Sequence, residues 1–336
     1  MAAHNPIYHL KDCYFFEVPK ALWRYDWRSL DDVPRFLRDG HPEVTDPAVF
    51  KEAMDGKVLI PQPFGELHSL YAMKSGFGIS KYMILELVVA TVMVLLFTRL
   101  AARVRGGDPP RGRLTNMLES VVVFVRDQIA RPAIDSHDHH DDDHGHEEHG
   151  HAVAHAVPAH DGDRFVPLLL TLFFFVLGCN LLGMVPWAGS PTASFSVTLS
   201  LAAVTFLTVI VAGMLKFGVL GFFTNQVPSM DLPLPLAIVL KPMIFAIEML
   251  GLCIKHLILA VRLLANMVAG HLVLLGIMGL ISAAAAYSTG MWATVTGISV
   301  VSCTLFSLLE LFVAFLQAYI FTFLSALFIG AAVHQH

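Results

Sequence analysis

Six polar residues interrupt apolar stretches where a membrane span is the only sensible reading: Glu248, Arg262, Asn266 and His271 in one stretch, Glu310 and Gln317 in the next. A cation at the centre of a bilayer costs about 2.5–3.5 kcal/mol on insertion scales, and such residues mark ion paths or counter-charges. A carboxylate and an imidazole that face each other in a membrane cavity make a proton relay, because neighbouring charge and desolvation bring both into the physiological range. Arg262 cannot be a link in that relay, since a guanidinium stays charged at any physiological pH. Its role is electrostatic: to displace a proton from a passing carboxylate and to block a short circuit. That carboxylate must come from another chain.

Helical geometry decides which of these groups can meet. At 100° per residue, Glu248, Lys255 and Arg262 fall within about 40° of one another and Asn266 about 40° further on, so they form one polar stripe. His271 lies about 180° from Arg262 and about 13 Å along the axis, nearer the outer surface. Glu310 and Gln317 are seven residues apart and share a face. An antiparallel alignment of the two helices pairs Glu310 with His271 and Gln317 with Arg262. Other polar residues have plainer readings. Glu86 near a span end and Lys255 within snorkelling reach fit interface chemistry, and His256 is as well explained by a structural role.

The elements that must position these groups follow from composition. Hydrophobic residues make up 55% of the 336 and charged residues 15%, against about 25% charged in a soluble domain, so the chain is a polytopic, all-α membrane protein. The net charge of -5 is segregated into the N-terminal region and one acidic tract, and nucleic-acid binding has no support. Four cysteines without CxxC spacing, three of them in apolar segments, argue against a disulfide framework. The chain start lacks signal and transit patterns, so the first span is expected to lead insertion.

Residues 1–80 read as an extramembrane segment with turn signals. Tyr82 to Thr98 is the first span, followed by Arg99, Arg103, Arg105, Arg111 and Arg113, a cluster that stays cytoplasmic and sets the N-terminus outside. Leu114 to Ala130 carries Leu114, Leu118, Val121, Val122, Val125 and Ile129 at helical spacing, which predicts an amphipathic interfacial helix; residues 81–134 thus form one section. Phe165 to Val185 and Ser196 to Leu215 predict a hairpin within 164–216. Residues 217–241, with Pro228, Pro233 and Pro235, predict a broken connection. Residues 242–336 hold two apolar runs, each far longer than a single span, which predict long, tilted, antiparallel helices. Five spans put the C-terminus in the cytoplasm.

Residues 135–163 are a His/Asp-rich tract, expected to be disordered without metal. Nine histidines lie between 135 and 160, and His137, His139, His140, His144, His146, His149 and His151 could bind zinc, copper or nickel weakly. Their spacing specifies no single site. A solvated tract, a proton buffer near an exit mouth and a dedicated metal function all remain open.

At the residues that carry the chemistry, the chain resembles subunit a of F-type ATP synthases, the membrane stator protein beside the rotating c-ring. Val261-Arg262-Leu-Leu-Ala-Asn266-Met-Val-Ala-Gly270-His271 looks like the family's central motif, Phe315-Leu-Gln317-Ala-Tyr-Ile-Phe321 like its C-terminal motif, and Cys179-Asn180-Leu-Leu-Gly183-Met-Val-Pro186 followed by Ser196-Val-Thr198 like its hairpin signature. The resemblance covers residues 75 to 333 outside the His-rich tract. It implies that Arg262 faces the c-ring carboxylate and separates two aqueous half-channels. Asn266, His271, Glu310 and Gln317 would line the inlet from the outer side, and Glu248 the outlet to the cytoplasm. The implied partners are c-ring subunits with an essential carboxylate, subunit b of the peripheral stalk, the F1 sector through the assembled complex, and the lipid bilayer. No cofactor and no catalytic chemistry of the chain's own are implied. The implied location is an energy-coupling membrane, a bacterial plasma membrane or a mitochondrial inner one. Two departures stand out: His256 and Ile258 occupy positions where relatives often carry Pro and Ser. A metal or ion transporter with a His-rich cytoplasmic loop is the competing class, but it needs His/Asp pairs at helical spacing inside spans, and the sequence has none.

Overall fold

The structure, a computed structural model, describes residues 11–105, 112–135, 161–185, 187–225 and 234–333. Nearly all of the His-rich tract, with every histidine named as a weak metal ligand, lies outside the described residues, as do Pro228 and Pro233.

Among the described residues, five helices are long and apolar enough to cross a membrane: α3 (Lys81–Arg105), α6 (Val166–Gly183), α7 (Phe195–Asn225), α8 (Leu234–Ala284) and α9 (Thr289–Val333). Ahead of them, the N-terminal region holds helices α1 (Arg35–Gly40) and α2 (Pro47–Met54) with two small antiparallel sheets. Strand β1 (Phe15–Glu17) pairs with β2 (Lys57–Leu59), and β3 (Gly65–Ser69) with β4 (Ala72–Gly76). Helix α2 starts where its sequence dictates: the Asp46 carboxylate accepts from the Ala48 N–H at 2.9 Å, and Pro47 pre-sets the first turn. Its apolar face delivers Phe50 and Met54 to a small core with Val33 and Leu37.

The predicted amphipathic helix is present as α4 (Arg113–Phe124), a π-helical turn over Val125–Ala130, and α5 (Arg131–Ile134). Leu118, Val125 and Ile129 are buried as their spacing predicts, whereas Leu114 is 57% exposed. The hairpin helix runs further than expected, to Asn225, with a break at Gly218. There φ is 76°, a conformation that favours glycine. Helix α8 likewise begins at Leu234, ahead of Pro242, which it carries inside.

The described chain divides into two compact units. The first comprises residues up to Met93 with Gly178–Val197 and Leu264–Ala314; the second comprises Val94–Leu177, Thr198–Leu263 and the chain from Phe315. Within the first, the loop after α6 is tied to the start of α3, where buried Lys81 donates from Nζ to the Trp187 carbonyl at 3.0 Å. Gly178 allows α6 to lie close on Val89, because a Cβ there would stand 2.7 Å from that valine's methyl. Within the second unit, Gly330 does the same for α9, whose backbone passes against the Ala133 carbonyl. The break at Gly218 turns Phe222 back onto Gly213, and the ring is 1% exposed. Phe97 and Phe174 meet edge to face at 5.0 Å.

The polar link at the start of α3 makes a testable point about charge. Asp12 accepts from the Cys13 N–H at 3.0 Å and the Tyr82 N–H at 3.4 Å. Burial pushes its carboxyl above the ordinary aspartate range, outweighing the hydrogen bonds from Ser80, Tyr82 and Cys13 that pull it down. A raised folded-state value means that Asp12 favours the fold at low pH and loses that contribution as pH rises through the shifted value. Asp12→Asn keeps the acceptor and removes the buried charge. Thermal unfolding in detergent should give this variant the higher midpoint at neutral pH, with the difference closing as pH falls towards 3.8.

Candidate functional site

In the first unit, α8 and α9 reverse direction through a tight turn in which the Tyr287 N–H bonds to the Ala284 carbonyl at 3.2 Å. This antiparallel return carries the predicted pair together. His271 Nδ1 lies 3.0 Å from Glu310 Oε1, with the two side chains 17% and 9% exposed. One proton fits between them, donated by the imidazole to a carboxylate or by the neutral acid to the imidazole. A cavity of about 230 Å³ opens beside the pair, lined by Asn266, Gly270, Val273, Phe306, Glu310 and Val313 among others. Asn266 and Glu310 supply its polar wall, and it has room for several waters at about 30 Å³ each.

Gly270 makes this geometry possible. A Cβ at that position would stand 2.8 Å from Glu310 Oε1 and 3.2 Å from its Cδ, so the bare backbone gives the carboxylate its seat. In the sequence Gly270 stands only as part of a motif. A glycine one residue before a membrane histidine was the signal available.

A second cluster, unremarked as a site in the sequence, holds α9 one turn beyond Glu310. The Asn180 amide donates to the Ala314 carbonyl at 3.4 Å and accepts from Thr192 Oγ1 at 2.8 Å, and Thr192 meets Ser190 Oγ at 2.9 Å. All three side chains are 0–1% exposed. Buried polar groups that satisfy one another fix a geometry, because releasing any of them leaves an unpaired group in a low-dielectric interior. Glu86, read as interface chemistry, is half-buried. One of its carboxylate oxygens is enclosed, without a hydrogen-bond partner among the described residues.

In the second unit, α8 presents the predicted stripe. Glu248 and Lys255 are exposed and Arg262 is half-buried. Around them Ile247, Leu250, Ile254, Leu257, Ile258 and Val261 are 45–61% exposed, so three ionic groups stand on an open apolar face. Gln317 belongs to the same unit and is 2% exposed, beside Ala318 at 0%. His256 points the other way. It is 4% exposed, its Nδ1 is 2.9 Å from the Leu252 carbonyl, and its ring sits between Phe206 and Phe328 at 5.2 and 4.9 Å. This is a packed core histidine, the structural reading.

Gly270→Ala should push the Glu310 carboxylate aside and lengthen its contact with His271 beyond hydrogen-bond range, leaving the helices in place. The ¹⁵N shift of the His271 imidazole checks this, and an unchanged shift would count against the seat.

Comparison with known proteins bears on what such an arrangement serves. The family model for the ATP synthase A chain matches residues 150–330. ATP synthase subunit a of Anaeromyxobacter sp. (strain Fw109-5) is 35% identical over 333 residues, covering 98% of this chain and 70% of that protein. ATP synthase subunit a of Chloroherpeton thalassium is 35% identical over 285 residues, 83% of this chain and 74% of the relative. That of Myxococcus xanthus is 40% identical over 230 residues, 68% of this chain and 64% of the relative. With five membrane-length helices among its described residues and two long C-terminal helices in antiparallel contact, this multi-pass membrane protein belongs to the ATP synthase subunit a family.

Proposed function

We propose that the chain is the proton-conducting stator subunit of an ATP synthase, passing protons through two offset half-channels to a carboxylate on the c-ring. The observation that carries the reading is the open apolar face of α8 with Arg262 on it. An exposed apolar surface in a membrane needs no protein partner, but a guanidinium within it does, because hydrocarbon cannot solvate the charge. A c-ring carboxylate is the complementary group. Close to Arg262 it loses its proton, since an adjacent cation favours the charged form.

The inlet reading rests on the His271 and Glu310 pair and its cavity. Glu310 and His271 exchange a proton across 3.0 Å, Asn266 holds water at the cavity wall, and Gln317 offers an uncharged hydrogen-bonding group on the same helix as Glu310. The outlet reading rests on Glu248 in the polar stripe with Arg262. A proton bound to a c-ring carboxylate travels round the ring and leaves towards Glu248, while Arg262 prevents direct passage from inlet to outlet. A pair of this kind serves protons and has no use for sodium. The cytoplasmic C-terminus, the outer N-terminus, subunit b and the F1 sector as partners complete the reading. The metal-transporter alternative is not favoured, since the relatives named above are ATP synthase subunits.

The His-rich tract is given no part in this reading, and the described residues that flank it are tied together in the second unit. The Gly162 N–H bonds Asp135 Oδ1 at 2.9 Å, and Arg131 grips Asp163 through two nitrogens at 3.0 Å each. A chain excursion closed at its neck can be removed without moving what carries it.

Two outcomes follow. Arg262→Ala should abolish ATP-driven acidification of inverted vesicles while the complex still assembles, with or without sodium; normal pumping by that variant would defeat the reading. Deleting residues 137–160 should leave assembly and pumping close to wild type, and loss of both after a clean deletion would give the tract a role in the machinery.

A further inference from the structure

The hairpin of β3 and β4 ends, opposite its turn, in two phenylalanines joined through the backbone. The Phe77 N–H bonds the Phe64 carbonyl at 3.2 Å, and the two residues are 60% and 70% exposed. From the sequence this stretch reads only as extramembrane, yet it is fastened to the helix that enters the membrane. The Gln62 side chain accepts from the Ile79 N–H at 2.8 Å and donates to the Ile79 carbonyl at 2.9 Å, and the Lys81 N–H bonds the Cys13 carbonyl at 2.9 Å. Gln62 stands two residues before Phe64 and Ile79 two after Phe77, so one clamp holds both strand ends. Gly78 is shut in as well, since a Cβ there would stand 2.8 Å from Met73 Cγ and 2.9 Å from Tyr14 Cε1.

Phe77 is four residues ahead of Lys81, at most about 14 Å away with the chain fully extended. The apolar outer surface of α3 starts at once, with Met83 40% and Leu87 67% exposed, and headgroups occupy about 5–8 Å on each side of the hydrocarbon. A third aromatic residue belongs to the same helix end. Lys81 Nζ holds the Trp187 carbonyl at 3.0 Å, and Trp187 is 59% exposed with φ at 67°, a conformation a bulky residue keeps only where its surroundings impose it.

We propose that Phe64, Phe77 and Trp187 enter the headgroup layer of the leaflet where α3 begins and seat the N-terminal region on that leaflet. Exposed rings are unfavourable in water, and aromatic side chains gather at membrane surfaces, where an apolar body finds lipid and a polar edge finds water. A partner protein is the other occupant, and the area argues against it. The three residues expose roughly 400 Å², about half of what one side of a stable protein interface buries, whereas lipid continues from the apolar face of α3 without a break. Lys74 Nζ lies 3.9 Å from a Glu66 carboxylate oxygen on the same hairpin, so these charges offset each other and the seat requires no charged headgroup.

The test uses the intact ATP synthase in phosphatidylcholine vesicles, with Phe64 or, in a separate complex, Leu22 replaced by the photoreactive benzoylphenylalanine. Leu22 is 76% exposed and lies past β1, away from the clamp. Irradiation should attach whole phosphatidylcholine molecules at position 64, read by mass spectrometry, and few or none at position 22. Adding Phe77→Ser should lower the lipid yield at position 64 roughly tenfold, the worth of a partly buried ring, and Phe77→Trp should keep it. If the serine complex does not assemble, the comparison of positions 64 and 22 decides. Adducts to another subunit in place of lipid, equal lipid yields at the two positions, or an undiminished yield with Phe77→Ser would each overturn the proposal. Proton flow plays no part in the labelling, so the Arg262→Ala complex should label as wild type does.

Discussion

Hydrocarbon offers no hydrogen bonds, and every polar group that this chain carries into the membrane must find its partner inside the protein or on a neighbour. That constraint explains why Asn180, Thr192 and Ser190 satisfy each other in full burial, and why His271 stands at 3.0 Å from Glu310. It also separates two kinds of polar residue. The buried cluster has its partners within the chain, so it fixes geometry. Glu248, Lys255 and Arg262 stand on an open apolar face of α8, and the proposed function seeks their partners outside the chain.

Glycine does much of the positioning, through close approach more than through flexibility. Gly270 seats a carboxylate, Gly178 lets α6 lie on Val89, and Gly330 lets α9 pass the Ala133 carbonyl. Each is a place where one methyl group would move a helix or a side chain. Gly218 is used instead for its backbone conformation, where it breaks α7 and returns Phe222 to the core. The polar side chains thus inherit their precision from apolar packing, and the Asn180 network grips α9 one turn from the acid that needs placing.

Much was legible in the residues. A composition of 55% hydrophobic residues, with apolar runs of span length, fixed the membrane class and the five helices. The seven-residue spacing of Glu248, Lys255 and Arg262 placed them on one stripe because helix geometry is periodic. The antiparallel pairing of His271 with Glu310 followed from the same periodicity and from a short turn. The enclosed oxygen of Glu86 and the seat that Gly270 provides were not legible there. Whether a polar residue near a span end faces water or the interior depends on which neighbour covers it, and a glycine's role depends on which side chain fills the space it leaves. The small sheets of the N-terminal region were also missed, since strands of three to five residues carry too little periodicity to read.

The sequence by itself determined the helices, their apolar faces and the polar stripe along α8, because these depend on intervals within one segment. Only the tertiary structure decided that Gly270 seats Glu310, that Asn180 reaches Ala314, that His256 is packed between two phenylalanines, and that Lys81 holds the Trp187 carbonyl. Those relations join residues tens to more than a hundred positions apart. Packing sets them, and the volume and direction of every intervening side chain enter the result.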